Sequence, residues 1–171
     1  MTKLYEEIIK LKTLLRKGWL ICGVSDSKTG RNESDAEHVF AMALLAIEIM
    51  RRENLQLDEA KVLKMVLYHE LCEIDAGDHT PFCNITPEEK YRKELAGVER
   101  IASECDMPEI LELWLEFEEN KTPEAKFVKR IDKLEAIKQS QVYSRQIGNN
   151  DLFDEFYSQS KDIVGDYKKY L

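Results

Sequence analysis

Apolar residues recur every three or four positions along nearly the whole chain, and strict two-residue alternation is almost absent. That spacing predicts helices over about residues 2–17, 35–53, 59–75, 87–104, 108–119, 123–146 and 151–166. Their starts carry capping chemistry. Ser34 with Glu37 and Thr86 with Glu89 have capping-box spacing, and Pro87 stands at a first helical position. Asp58, Asp106 before Met107-Pro108, and Thr122 before Pro123 sit at or beside further caps. Two connections, Gly18–Glu33 and Gly77–Ile85, have the character of binding loops. With no internal repeat, low-complexity run or linker, residues 1–171 read as a single all-α domain of seven helices.

Three of these helices break the apolar pattern at telling places. In the stretch 59–75, Val62, Val66, His69 and Glu73 share one face, and Leu63, Leu67, Glu70 and Ile74 the neighbouring one. Lys61, Lys64 and Tyr68 are left for solvent. In 35–53 a stripe of Met42, Leu45 and Ile49 begins with His38, and in 123–146 Asp132 follows Ile131 one turn beyond Val128. Burying carboxylates without partners costs several kcal/mol each, and one cation compensates several at once. Helix bundles build metal sites from side chains converging in this way. Taken singly, each residue has a plain alternative: a satisfied core histidine, or a carboxylate paired with lysine. The combination, with two of only three histidines on apolar faces, raises the metal reading level with the plain one.

Composition narrows the field. A chain of 171 residues buries one substantial core, and 43% hydrophobic with 34% charged residues is the balance of a folded helical protein. Net charge is −8, with a pI near 5.1 and no clustered Lys and Arg, which weighs against polymeric nucleic acid as a partner. A small anion is still compatible, because one Arg and one metal ion locally outweigh the global charge. The apolar run Ala41–Ile47 is too short to cross a membrane, and the start lacks a signal-peptide core. Cys22, Cys72, Cys83 and Cys105 show no paired spacing and read as free thiols of a cytoplasmic protein.

The residues that break the pattern also carry a family likeness. Asp35-Ala-Glu-His38, Tyr68-His69-Glu70, Glu73, Gly77-Asp78 and Arg130-Ile-Asp132 resemble the H…HD…D signature of the HD-domain phosphohydrolases. Arg16-Lys-Gly-Trp19, Glu88-Glu-Lys90 with Glu94, and Ala125–Asp132 extend the likeness toward the 5′-deoxynucleotidase branch. The resemblance implies an all-α, HD-type helical bundle of six to seven helices, commonly a homodimer, acting on deoxynucleoside 5′-monophosphates. It implies one divalent metal (manganese, cobalt, iron or zinc, with magnesium admitted) on His38, His69, Glu70 and Asp132. Glu73 would be the acid/base or, with Asp78, help hold a second metal. Arg16 and Trp19 would frame the nucleotide, and Asp78 would meet the deoxyribose hydroxyl. For Trp19 a core aromatic, and for Asp78 a turn residue, are the plain alternatives. Apolar positions on the amino-terminal and fifth helices (Ile110, Leu113, Trp114, Phe117) leave room for a dimer surface. One departure stands out: His69-Glu70 replaces the family's His-Asp dyad. Other phosphorylated substrates (a phosphodiester, an alarmone or a triphosphate) or a non-catalytic metal-binding interaction protein are the competing readings.

Overall fold

The computed structural model describes residues 1–79, 85–148 and 151–171. In chain order the helices are α1 (Lys3–Leu11), α2 (Lys17–Ile21), α3 (Asp35–Arg52), α4 (Glu59–Tyr68) and α5 (Glu73–Ala76), then α6 (Pro87–Glu104), α7 (Pro108–Glu119), α8 (Pro123–Ile147) and α9 (Asp151–Val164). A 3₁₀ helix, Gly165–Tyr170, follows. Among the described residues extended pairing is confined to one bridge, Leu15 with Ser34. The all-α reading therefore holds. Both expected capping boxes form, and Asp58 and Thr122 cap α4 and α8. At α7 the cap position belongs to Met107, with Asp106 beside it at positive φ.

Two of the seven expected stretches are broken, giving nine α-helices among the described residues. The stretch 2–17 ends at Leu11 because the next backbone groups bond elsewhere. Arg16 N–H donates to Glu33 O at 3.0 Å, and Asp35 N–H to Leu14 O at 2.9 Å. Those pairings lie across the chain, so periodicity does not report them. The connection after Gly18 accordingly begins inside α2. The stretch 59–75 breaks at residues 69–72, where N–H groups of Leu71, Glu73 and Ile74 reach back three residues instead of four. Gly77, at φ 79°, ends the short α5 in a conformation that glycine tolerates best. The remainder of the expected loop, residues 80–84, lies outside the described residues, and Cys83 with it. Cys22, Cys72 and Cys105 are free thiols.

The core has two main parts. Met42, Ile49, Val62, Val66, Ile131 and Leu134 pack α3, α4 and α8 together. Leu11, Val98, Ile101, Ile110 and Trp114 join α1, α6 and α7. Each fully buried aliphatic side chain contributes about 1.5–3 kcal/mol. The turn 69–72 passes between the two, with Val66 in the first part and Leu71 and Cys72 in the second. Helix α6 lies close against this turn: a Cβ on Gly97 would sit 2.8 Å from the Cys72 carbonyl oxygen. Arg100 ties α1, α5 and α6 by donating to Glu7 at 3.0 Å and to Asp75 at 2.5 Å.

Two surface expectations are corrected. Ile110, Trp114 and Phe117 are buried in the core and Leu113 packs against it, because α7 is covered by α4, α6 and α8. Leu67, expected inside, is 49% exposed; Met65 takes the core position instead. Exposed apolar side chains on α3 and α4 are Phe40, Leu44 and Leu67. Among the described residues no helix is long and apolar enough to cross a membrane.

Candidate metal centre and its cavity

The capping box at Ser34 fixes the start of α3 and so places His38 one turn into the helix, fully buried. The turn after α4 brings in His69 and Glu70, and α8 brings in Asp132. These four residues, 0–7% exposed, offer ligand atoms all within 4.8 Å of one another. His38 Nε2 lies 3.4 Å from Asp132 Oδ1 and 3.8 Å from Glu70 Oε1, and His69 Nε2 lies 3.2 Å from Glu70 Oε1. His69 Nδ1 is 2.8 Å from the Val66 carbonyl oxygen. A carbonyl only accepts, so Nδ1 carries the proton and Nε2 presents its lone pair to the cluster. Both Nε2 atoms are buried without a hydrogen-bond partner. Two imidazole nitrogens and two carboxylates facing one point are a donor set suited to a first-row divalent cation.

The electrostatics agree. Burial opposes ionisation of Glu70 and Asp132, yet His69 and Arg16 around Glu70, and Lys133 and His38 around Asp132, hold both carboxyls below their usual range. Burial and Arg16 likewise oppose charge on His38, whereas Glu135 and Asp132 hold its imidazole up to about 10. A metal here competes with a proton.

A second acidic group lies beside the first. Asp35, Glu73 and Asp78 also bring ligand atoms within 4.8 Å of one another. Asp35 is completely buried with neither oxygen hydrogen-bonded, and Glu73 Oε2 is buried without a partner. Burial, then Glu70, pushes the Asp35 carboxyl up to about 8. Burial, then Glu70 and Asp78, raises Glu73 well above the ordinary range. Arg16 answers this charge: Nη1 lies 3.1 Å from Glu70 and 3.7 Å from Asp35. Asp78 accepts from the Lys17 N–H at 2.5 Å, which anchors α2 to the site.

His69, Glu70, Glu73, Asp78 and Asp132 open onto a cavity of about 470 Å³, within the ~300–1,000 Å³ typical of small-molecule sites. Arg16, Lys90, Lys129 and Lys133 supply cationic lining despite the acidic chain as a whole. Trp19, 1% exposed, stacks on Phe156 of α9 with centroids 4.4 Å apart and donates from Nε1 to Glu33 at 2.8 Å. Its rings are taken up by the protein, so Trp19 forms a wall.

Arg16, Trp19, His69, Glu70, Glu73, Asp78 and Asp132 line the cavity, and His38 sits directly behind Asp132. All the residues singled out in the sequence are thus brought together. Asp35 stood in the motif without a role of its own, and Lys133 and Glu135 were missed. Helical spacing offered a signal for two of them: Asp35 is three residues before His38, and Glu135 three after Asp132. Lys133 pairs with Asp132 at 2.9 Å, which adjacency alone does not reveal.

Comparison with known proteins gives the same direction. The family model for the HD domain matches residues 8–170. The 5′-deoxynucleotidase HDDC2 of Dictyostelium discoideum is 38% identical over 145 residues, covering 80% of this chain and 74% of that protein. The 5′-deoxynucleotidase hdd1 of Schizosaccharomyces pombe is 37% identical over 151 residues, covering 84% and 72%. The crystal structure of PH0347 protein from Pyrococcus horikoshii OT3 superposes with a TM-score of 0.75 at 30% identity, over 96% of this chain and 94% of that one.

Proposed function

This chain belongs to the HD domain family, and from that premise we propose that it releases phosphate from deoxynucleoside 5′-monophosphates in a metal-dependent reaction. The observation that carries this is the convergence of two partnerless Nε2 atoms with Glu70 and Asp132 at the edge of a nucleotide-sized cavity. Residues 1–171 act as one phosphohydrolase domain.

His38, His69, Glu70 and Asp132 would hold the catalytic cation: manganese, cobalt, iron or zinc, with magnesium admitted by the carboxylates. The alternative to an acid/base role for Glu73 is that it and Asp78, with Asp35 beside them, would help hold a second cation. When bound, a divalent cation polarises a phosphoryl oxygen and eases loss of a proton from water. The chain's own groups do the rest. Glu73, held toward its protonated form, is placed to exchange a proton with the attacking water or the leaving 5′-oxygen. Arg16, at the cavity wall, offsets charge on the non-bridging oxygens with its fork of donors. Asp78, with one oxygen occupied by Lys17, offers the other to a sugar hydroxyl. Trp19 and Phe156 close the side of the site against water.

A second copy of the chain would pack on the exposed apolar side chains of α3 and α4, making a homodimer. Free Cys22, Cys72 and Cys105 suit a cytoplasmic location. The test is phosphate release from deoxynucleoside monophosphates and the matched ribonucleotides across a metal series. Release from the deoxynucleotides is expected; none with any metal overturns the reading.

A further inference from the structure

His69 and His38 are oriented by different kinds of partner. His69 is held by a backbone carbonyl, which its own helix supplies. His38 Nδ1 lies 2.5 Å from Oε2 of Glu135, a residue 97 positions away on α8. Glu135 is 5% exposed. A second carboxylate, Glu33, stands in the same group, its ligand atom within 4.8 Å of both His38 and Glu135. Half-buried Glu33 and buried Glu135 stand so close that their charges repel, so the packing of α8 by itself gives no reason for an acid at Glu135.

We propose that Glu135 is a positioning residue for the metal centre, its carboxylate holding the His38 ring so that Nε2 faces Glu70 and Asp132. A carboxylate oxygen accepts the Nδ1 proton, which leaves the Nε2 electron pair for a cation. It also fixes the ring's rotation and raises the basicity of the ligating nitrogen. Asp132 and Glu135 lie three residues apart on one face of α8. One helix therefore supplies both a candidate ligand and the group that orients its neighbour. The site's geometry is coupled across α3 and α8, which pack against each other. This inference rests on the metal reading above, and it adds a residue that touches neither the cation nor the substrate.

The test is manganese binding by titration calorimetry on the full chain and on Glu135→Leu and Glu135→Gln, with melting temperatures of the metal-free proteins. Leucine fills the same space without the acceptor. Removing one partner of the buried His38–Glu135 pair should lower the metal-free melting temperature, and it should weaken manganese binding about 10- to 100-fold. Glutamine keeps an acceptor oxygen without the charge and should recover most of that loss, binding about three- to tenfold weaker than wild type. Either variant binding within about twofold of wild type overturns the proposal. So does equal weakening in both together with equally lowered metal-free melting temperatures, which marks a general loosening of the fold. If the leucine chain does not fold, the glutamine chain decides alone by the same thresholds. A wild-type chain that binds no manganese, cobalt or zinc overturns the metal reading and this proposal together. Wild-type binding matched by a variant overturns only the role of Glu135.

Discussion

Arg16 donates from Nη1 to Glu70 Oε1 at 3.1 Å, across 54 residues of sequence. The same oxygen lies 3.2 Å from His69 Nε2. Glu70 therefore joins the guanidinium at the cavity wall to the histidine beside it, and the longer side chain of glutamate sets where that oxygen stands. Glu70→Asp shortens the reach by one carbon–carbon bond, about 1.5 Å, in a site whose tolerance is about 0.5 Å. We expect it to change the preferred metal or the rate of phosphate release and to free Arg16. A metal series assayed on both chains checks this; identical profiles would make the glutamate equivalent to the family's aspartate.

His69→Ala and Asp132→Ala each remove one donor from the four-residue centre. Bound metal and phosphate release should be lost together in both. Metal analysis after dialysis, alongside turnover, is the measurement. Full metal content in both variants would refute the ligand assignment.

Glu73→Gln tests the proton-transfer role separately. Its carboxylate lies in the second acidic group, so the four-residue centre should keep its cation. The rate should fall about 10²- to 10⁴-fold, the usual contribution of a positioned acid or base. A near-normal rate with metal in place removes that role.

The cap that sets His38 in position has a pH signature. Arg31 holds the Glu37 carboxyl down to about 2, against a smaller opposing effect of burial and with help from Ser34. A folded-state value below the unfolded one means stability that is present above about 4.5 and lost as pH falls through about 2. Glu37→Gln keeps an acceptor for the Ser34 N–H but loses the ion pair. It should melt below wild type near neutral pH, with the gap closing across that window. A gap constant with pH in thermal melts would contradict the assignment. Ser34→Ala should cost about 1 kcal/mol near neutral pH.

Gly97→Ala puts a methyl 2.8 Å from the Cys72 carbonyl, so the turn bearing His69 and Glu70 or the helix α6 must move. We expect a loss of about 1–3 kcal/mol, read as a drop of about 2–4 °C in Tm for each kcal/mol. Phosphate release should fall with it. An alanine chain with wild-type Tm and activity would show that the contact relaxes freely.

Much of this architecture is legible in the residue order, and for definite reasons. Capping at Ser34, Asp58, Thr86 and Thr122 is a local interaction over three residues, and it forms where expected. His38, Glu73 and Asp132 announce themselves because helical spacing puts polar groups where apolar ones belong. The break at Leu11 was hidden, since the bonds of Arg16 with Glu33 and of Asp35 with Leu14 join separate parts of the chain; the one at His69 was hidden because bonds reaching back three residues keep an apolar spacing close to that of a helix. The same holds for α7, whose apolar face has the same period whether it meets solvent, a partner or the core.

Periodicity and cap chemistry thus settle which segments are helical and which side chains stand out of pattern, because both act within one or two turns. Convergence is a different matter. That His38 meets Asp132 and that Glu135 stands behind His38 follow from the packing of α3 against α8, and that Arg16 answers Glu70 follows from the start of α2 lying beside the turn after α4. Only that packing brings charges from distant positions into one low-dielectric space, where each alters the protonation of the next.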